Sequence, residues 1–206
     1  MFHDIEWIFF DMGSTLIDDS EADLRRIRKM LSGTDITEEE YFRKRLELIE
    51  QGFRGDRALV EFFNLPRIPW SNEGEVPYPD AVPTLEELKR RGFRLGVVAN
   101  QTPGSEARLA GWDLLKYFDV VAVSAELGMA KPDPAIFLWA LEQAGCAPEN
   151  AVMVGDRIDN DIAAPGRLGM HTVRILRGFG AEHKPQNSDE IPEYTVRTLT
   201  EIPDLV

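Results

Sequence analysis

The sequence predicts an α/β fold built on a doubly wound parallel sheet, and three features carry that prediction. Apolar runs of strand length end in polar residues: 7–10 before Asp11, 93–99 before Asn100 and 151–155 before Asp156. Helical patterns alternate with these runs, which is the rhythm of βα units. A longer helical block, about residues 21–64, stands between the first two strands and reads as an insertion on the core.

The first strand, Trp7-Ile8-Phe9-Phe10, is continuously apolar, as a parallel strand buried on both faces must be. It delivers Asp11 to the carboxyl end of the sheet, where open α/β sheets bind ligands. After a turn at 17–20, Leu24, Ile27 and Leu31 recur at helical spacing. Thr37 and Glu40 form a capping box that opens a helix carrying Phe42, Leu46 and Ile49. A further helix runs through Leu59, Val60, Phe62 and Phe63. Pro, Asn, Glu and Gly dominate 66–83, the return connection. The chain then reads as helix 84–91 ended by Gly92, strand 93–99, helix 106–115, strand 118–124 and helix 134–144. Strand 151–155, a short helix 161–168 interrupted by Pro165, strand 171–176, a loop 178–189 and an edge strand 194–196 complete it.

At 43% hydrophobic and 29% charged residues the composition is that of an ordinary globular protein. The formal net charge of −13 argues against nucleic acid as a partner, because a phosphate backbone needs a basic surface. It leaves a small anionic metabolite possible, since such a ligand feels the local field. No apolar run is long enough to span a bilayer, so no membrane role is expected. The N-terminus has no basic lead and does not read as a signal peptide. The single cysteine, Cys146, excludes an intrachain disulfide and fits a reducing cytoplasm. His3, His171 and His183 show no metal-ligand spacing.

Asp11, Asn100, Lys131 and Asp156, with Asp161 close behind, fall at carboxyl ends of strands or on the loops that follow. This ordered set resembles the haloacid dehalogenase (HAD) superfamily, mostly phosphohydrolases. Ile8-Phe9-Phe10-Asp11-Met12-Gly13-Ser14-Thr15 resembles its first motif and Leu95-Gly96-Val97-Val98-Ala99-Asn100 its second. Lys131-Pro132 resembles the third, and Val152-Met153-Val154-Gly155-Asp156 with Asp161 the fourth. The resemblance covers essentially the whole chain. It implies a HAD-like Rossmannoid core over 1–17 and 78–206, with residues 18–77 forming a small helical cap and return linker.

It also implies roles. Asp11 would be the nucleophile, and Lys131 would offset the charge of the carboxylates and of the group transferred. Asn100, Lys131 and nearby backbone N–H groups would bind the substrate's anionic oxygens. Mg2+ would be held by Asp11, the Gly13 carbonyl and Asp156, with Asp161 as a further ligand or as an acceptor behind the ligands. The cap would set substrate choice, with Arg25, Tyr41, Arg54 and Trp70 as candidates to face it. The protein is expected in the cytoplasm as a monomer or homodimer.

Two positions depart from the family pattern. Gly13 stands where its phosphatases place a second Asp, which protonates the leaving oxygen and activates water. Losing a general acid–base group costs ~10²–10⁴-fold in rate. Asp18 and Asp19 are possible substitutes, against a plain reading of both as solvated loop acids. Ala99 replaces the second motif's hydroxyl, removing one hydrogen bond to a charged group, worth roughly 1.5–3 kcal/mol. The first expectation is therefore a Mg2+-dependent hydrolase of a small phosphorylated metabolite, with impaired activity. One alternative is a hydrolase for substrates with good leaving groups: an acyl phosphate, a phosphonate or a haloacid. The other is a non-catalytic binding or regulatory module.

Overall fold

The strand β1 (Trp7–Phe10) leads into a short β2 (Ile17–Asp18), then α1 (Ser20–Leu31), α2 (Glu38–Glu50), α3 (Arg57–Phe62) and β3 (Val76–Pro77) in the computed structural model, which describes all 206 residues. Strands and helices then alternate: α4 (Ala81–Arg90), β4 (Arg94–Ala99), α5 (Ser105–Gly111), β5 (Val120–Val123), α6 (Ser124–Leu127), α7 (Pro134–Ala144) and β6 (Ala151–Gly155). The chain closes with α8 (Ala164–Arg167), β7 (His171–Ile175) and β8 (Tyr194–Val196).

Six strands form one parallel sheet in the order β5-β4-β1-β6-β7-β8. The chain winds outward from β1 through β4 to β5, then crosses to β6 and winds the other way. The reversal places the switch point at β1, so the crevice outside its carboxyl end is the expected ligand site. Side chains alternate between the two faces of the sheet. Ile8, Phe10, Leu95, Val97, Val152 and Val154 pack under α4 and α5, whereas Trp7, Phe9, Val98, Ala151 and Met153 pack under α7. Phe9 and Phe10 are wholly buried, each worth about 1.5–3 kcal/mol. That burial anchors the strand carrying Asp11.

Helices α1–α3 enclose an apolar cluster of their own, centred on Ile27, Met30, Tyr41 and Leu59. The antiparallel pair β2–β3 joins this block to the sheet at both of its ends. The Thr37–Glu40 capping box opens α2, with the Thr37 side chain accepting from the Glu40 N–H and the Glu40 carboxylate accepting from the Thr37 N–H.

Several boundaries differ from the sequence reading. Helix α4 starts at Ala81 rather than 84, because Pro83 lies in its first turn, where an N–H has no helical partner to lose. The helix expected over 106–115 is α5 followed by a 3₁₀ turn at Leu115–Tyr117. Ser124 opens α6 instead of ending β5. The helix expected from 161 begins earlier, as a wide π-helical turn over Ile158–Ala163, and Pro165 sits in the first turn of α8 without breaking it. A final 3₁₀ segment, Leu199–Asp204, has no counterpart in the sequence reading.

Gly96 pairs in register with Phe9 in the neighbouring strand. A Cβ at Gly96 would lie 2.5 Å from two atoms of the Phe9 ring. A glycine inside a strand here marks close approach. We expect Gly96→Ala to cost about 1–3 kcal/mol through overpacking, with Phe9→Leu in the same chain recovering part of it. Urea unfolding midpoints check this; an unchanged midpoint would show that the ring yields freely.

Candidate active site

The sheet presents its polar residues at one end, facing a cavity of about 1070 Å³ whose lining reaches into α1 and α2. Asp11, Gly13, Asn100, Lys131, Asp156 and Asp161 all line it. The structure thus brings these six residues to one cavity.

Lys131 lies at the centre and is almost wholly buried. Its ammonium donates to Asp11 Oδ1 at 2.6 Å, Asp161 Oδ1 at 2.6 Å and the Val98 carbonyl at 2.8 Å. Burial alone would depress its pKa, but the carboxylates of Asp11 and Asp161 outweigh that and hold it above the usual lysine range. Asn100 clasps the Lys131 backbone at both ends, donating to its carbonyl and accepting from its N–H, each at 2.8 Å. The amide expected to reach substrate is engaged in placing Lys131, with one amide hydrogen left over.

Asp161 turns back on its own helix. Its Oδ2 accepts the Arg157 N–H at 3.0 Å while Oδ1 holds Lys131. A Cβ at Gly155 would lie 2.5 Å from that carboxylate, which is why a glycine precedes Asp156. Burial and the facing carboxylates of Asp161 and Asp11 push Asp156 well above the carboxylate range. Asp161 is pushed up to about 6 by burial, against the pull of Lys131.

Donor oxygens of Asp11, Asp156 and Asp161 lie within 4.8 Å of one another. Three carboxylates against one ammonium leave an excess of negative charge. Hard oxygen donors in that surplus fit a divalent cation. The Gly13 carbonyl accepts no hydrogen bond, unlike the Met12 carbonyl, which accepts from Thr15, Leu16 and Ile17. The N–H groups of Met12 and Gly13 likewise have no protein partner.

Two groups carried weak sequence signals. Asp19 lines the cavity and is pushed up to about 6, mainly by burial. Ser14 adopts φ +54, a left-handed conformation that is uncommon outside glycine, and donates to Asp19 Oδ1 at 2.7 Å. Of the substrate-facing candidates expected within 18–77, Trp70, on the return connection, lines the cavity. The others do not. Tyr41 lies in the block's own core, Arg25 pairs with Glu21 and Glu73, and Arg54 binds Glu190 and the Lys184 carbonyl. Arg26, Phe42 and Arg45 stand in the lining in their place, and helical periodicity alone could not separate these two sets. Phe179, from the loop after β7, also faces the cavity, with the Arg45 guanidinium 3.6 Å from its ring centre.

A reversing parallel sheet with carboxylates and a buried lysine at its carboxyl end is the arrangement that the resemblance to the HAD hydrolases implies. Residues 5–169 match the family model of haloacid dehalogenase-like hydrolases, and the chain belongs to that family. It is 33% identical over 227 residues to a glyceraldehyde 3-phosphate phosphatase of Methanopyrus kandleri, covering 98% of this chain and 97% of that one. It is 30% identical over 211 residues to a phosphoglycolate phosphatase of Aquifex aeolicus, covering 97% and 95%. Among solved structures, a HAD phosphatase from Thermococcus onnurineus superposes with a TM-score of 0.68 at 28% identity, covering 98% of this chain and 97% of that one.

Protons and a divalent cation compete for the same oxygens. We expect magnesium to raise Tm at about pH 7.5 by ligand linkage, and the shift to shrink as pH falls through about 6, where Asp161 takes up its proton. The comparison is the difference with and without metal at each pH. His183 makes that necessary, because burial pulls it down to about 4. It therefore stabilises the fold above the unfolded histidine value of 6.5 and loses that contribution as pH falls toward 4. The metal-free acids act the other way: their raised values mean the native state gains stability as pH falls below about 6 toward the ordinary carboxylate value of 3.8. A metal shift that is absent or independent of pH would count against the cation site.

Proposed function

We propose that this hydrolase is a Mg2+-dependent phosphatase of a small phosphorylated metabolite, with Asp11 as its nucleophile. The observation that carries the reading is the state of Asp11. It follows β1 directly, one carboxylate oxygen is held by Lys131 at 2.6 Å, and the other has no partner. A carboxylate so fixed and so partnered is poised for in-line attack on phosphorus once the phosphoryl charge is offset. The names of the full-length relatives support the substrate class: glyceraldehyde 3-phosphate phosphatase and phosphoglycolate phosphatase. They suggest phosphates of two- and three-carbon acids and sugars as the first panel.

In this reading the Asp11 oxygen bonds to phosphorus as the ester oxygen departs, and water later releases inorganic phosphate. Lys131 holds Asp11 in place through the 2.6 Å contact of its ammonium. Free N–H groups of Met12 and Gly13, with the remaining amide hydrogen of Asn100, receive phosphoryl oxygens. A magnesium ion held by Asp11, the Gly13 carbonyl and Asp156 would offset phosphoryl charge, with Asp161 backing Lys131. Residues 18–77 serve as the cap over the site, and its cavity-lining Arg26, Arg45 and Trp70 select the remainder of the substrate.

A second reading rests on Gly13, which supplies no acid. It restricts the enzyme to substrates whose leaving group needs no proton: an acyl phosphate, a phosphonate or a haloacid. No helix is long and apolar enough to cross a membrane. With a single cysteine, which fits a reducing compartment, we place the protein in the cytoplasm, as a monomer or homodimer with a small anionic metabolite as its partner.

The test is turnover of that phosphate panel with and without magnesium, comparing the native chain with Asp11→Asn. We expect metal-dependent release of inorganic phosphate and a loss in Asp11→Asn of at least about 10⁴-fold, down to background, with an unchanged fold by circular dichroism. Turnover that survives in Asp11→Asn would overturn the mechanism. Release of halide from a haloacid without magnesium would favour the second reading.

A further inference from the structure

We propose that Asp19 is the general acid–base group of this enzyme, supplied from the start of α1 to the space that Gly13 leaves open. The inference rests on the phosphatase reading of the site and deepens it.

The geometry at Gly13 is specific. A Cβ built on Gly13 would lie 2.6 Å from Asp19 Oδ2 and 3.6 Å from its Cγ. In an aspartate the distance from Cβ to either carboxylate oxygen is about 2.4 Å by standard bond lengths. Asp19 Oδ2 thus stands about as far from that point as the carboxylate oxygen of an aspartate at 13 would. Gly13 and Asp11 both line the cavity, while Met12 between them is buried in the core. A group in front of Gly13 is therefore on the nucleophile's side of the chain.

The ordinary reasons for an acid at this position do not apply. Asp19 is the N-cap residue of α1, yet its side chain makes no capping hydrogen bond. No arginine or lysine pairs with it, whereas Asp23 and Asp56, which also line the cavity, are bound to Arg45 and Arg26. Its one side-chain bond comes from the Ser14 hydroxyl to Oδ1, which leaves Oδ2 free. Ser14 holds a left-handed φ to make that bond, and Gly178 packs so closely on it that a Cβ there would lie 2.1 Å from Ser14 Oγ. The carboxylate is aimed by a strained residue that the loop after β7 holds down.

The chemistry needs such a group twice. In the first step an Asp11 oxygen forms a bond to phosphorus. The bond to the ester oxygen breaks with its electron pair, and that oxygen takes the proton of Asp19 Oδ2. In the second step water attacks phosphorus and gives a proton to Asp19. The bond from phosphorus to Asp11 breaks, which restores both carboxyl groups and frees inorganic phosphate.

The experiment compares the native chain, Asp19→Asn and the double variant Gly13→Asp with Asp19→Gly, on glycerol phosphate and on dinitrophenyl phosphate. Position 13 is not at positive φ, so its backbone accepts a side chain. We expect Asp19→Asn to lose ~10²–10⁴-fold in kcat on glycerol phosphate, whose alkoxide needs a proton. On dinitrophenyl phosphate it should release about one equivalent of phenol in a burst and then turn over slowly, because only water activation is lost. The double variant should recover turnover of glycerol phosphate. Equal losses on both esters without a burst overturn the assignment and leave the phosphatase reading standing. Native turnover confined to dinitrophenyl phosphate also overturns it, in favour of good leaving groups. No native turnover of either ester, or of the metabolite panel, overturns both.

Discussion

Mutual repulsion among Asp11, Asp156 and Asp161 is the constraint on which the rest of this structure depends. Their oxygens meet within 4.8 Å at the buried end of a sheet, where charge is costly. The fold meets that cost with one ammonium, and most of the surrounding detail serves to keep the ammonium there. Asn100 grips its backbone, the Val98 carbonyl takes its third hydrogen, and the turn after β6 swings Asp161 under it. The negative charge that remains uncompensated is a surplus of hard oxygen donors that a divalent cation would offset.

The sheet makes this economical. Parallel strands end together, so residues far apart in sequence need only follow their strands to meet. Asp11 follows β1, Asn100 follows β4 and Asp156 follows β6, and each strand is fixed by side chains buried on both faces. The helical block has a different task. It carries its own apolar cluster and presents Arg26 and Arg45 to the cavity, with Trp70 reaching it from the return connection, so this part of the lining is built apart from the strand ends that fix the charges.

What the sequence made legible follows from which interactions are local. Strand β1 could be read because burial on both faces demands an unbroken apolar run, and helix α7 because Pro132, Pro134 and Gly145 punctuate it. The capping box of α2 is a contact between residues three apart, and it was visible as such. The polar set at the strand ends was legible because topology alone brings it together. Asp19 was harder. A turn acid looks the same whether it faces water or a glycine six positions back, and only the left-handed Ser14 between them decides. The helical-block residues failed for a related reason. Helical spacing says which residues share a face but not what that face meets, so Tyr41 and Arg26 could not be told apart. The turn at Ile158–Ala163 escaped because its start is set by the Asp161 side chain bonding back to Arg157, a contact invisible in periodicity.

Lys131 uses all three of its hydrogens, on three acceptors that surround a single nitrogen. That arrangement matches the tetrahedral shape of an ammonium. An arginine carries the same charge, but as a flat fork whose donors spread across a plane. It could meet a carboxylate squarely and would still leave the Val98 carbonyl or the second aspartate facing away from any hydrogen. The pocket around this residue therefore selects the form of its cation as strictly as the sign, and a swap that looks conservative in an alignment would be a change of geometry here.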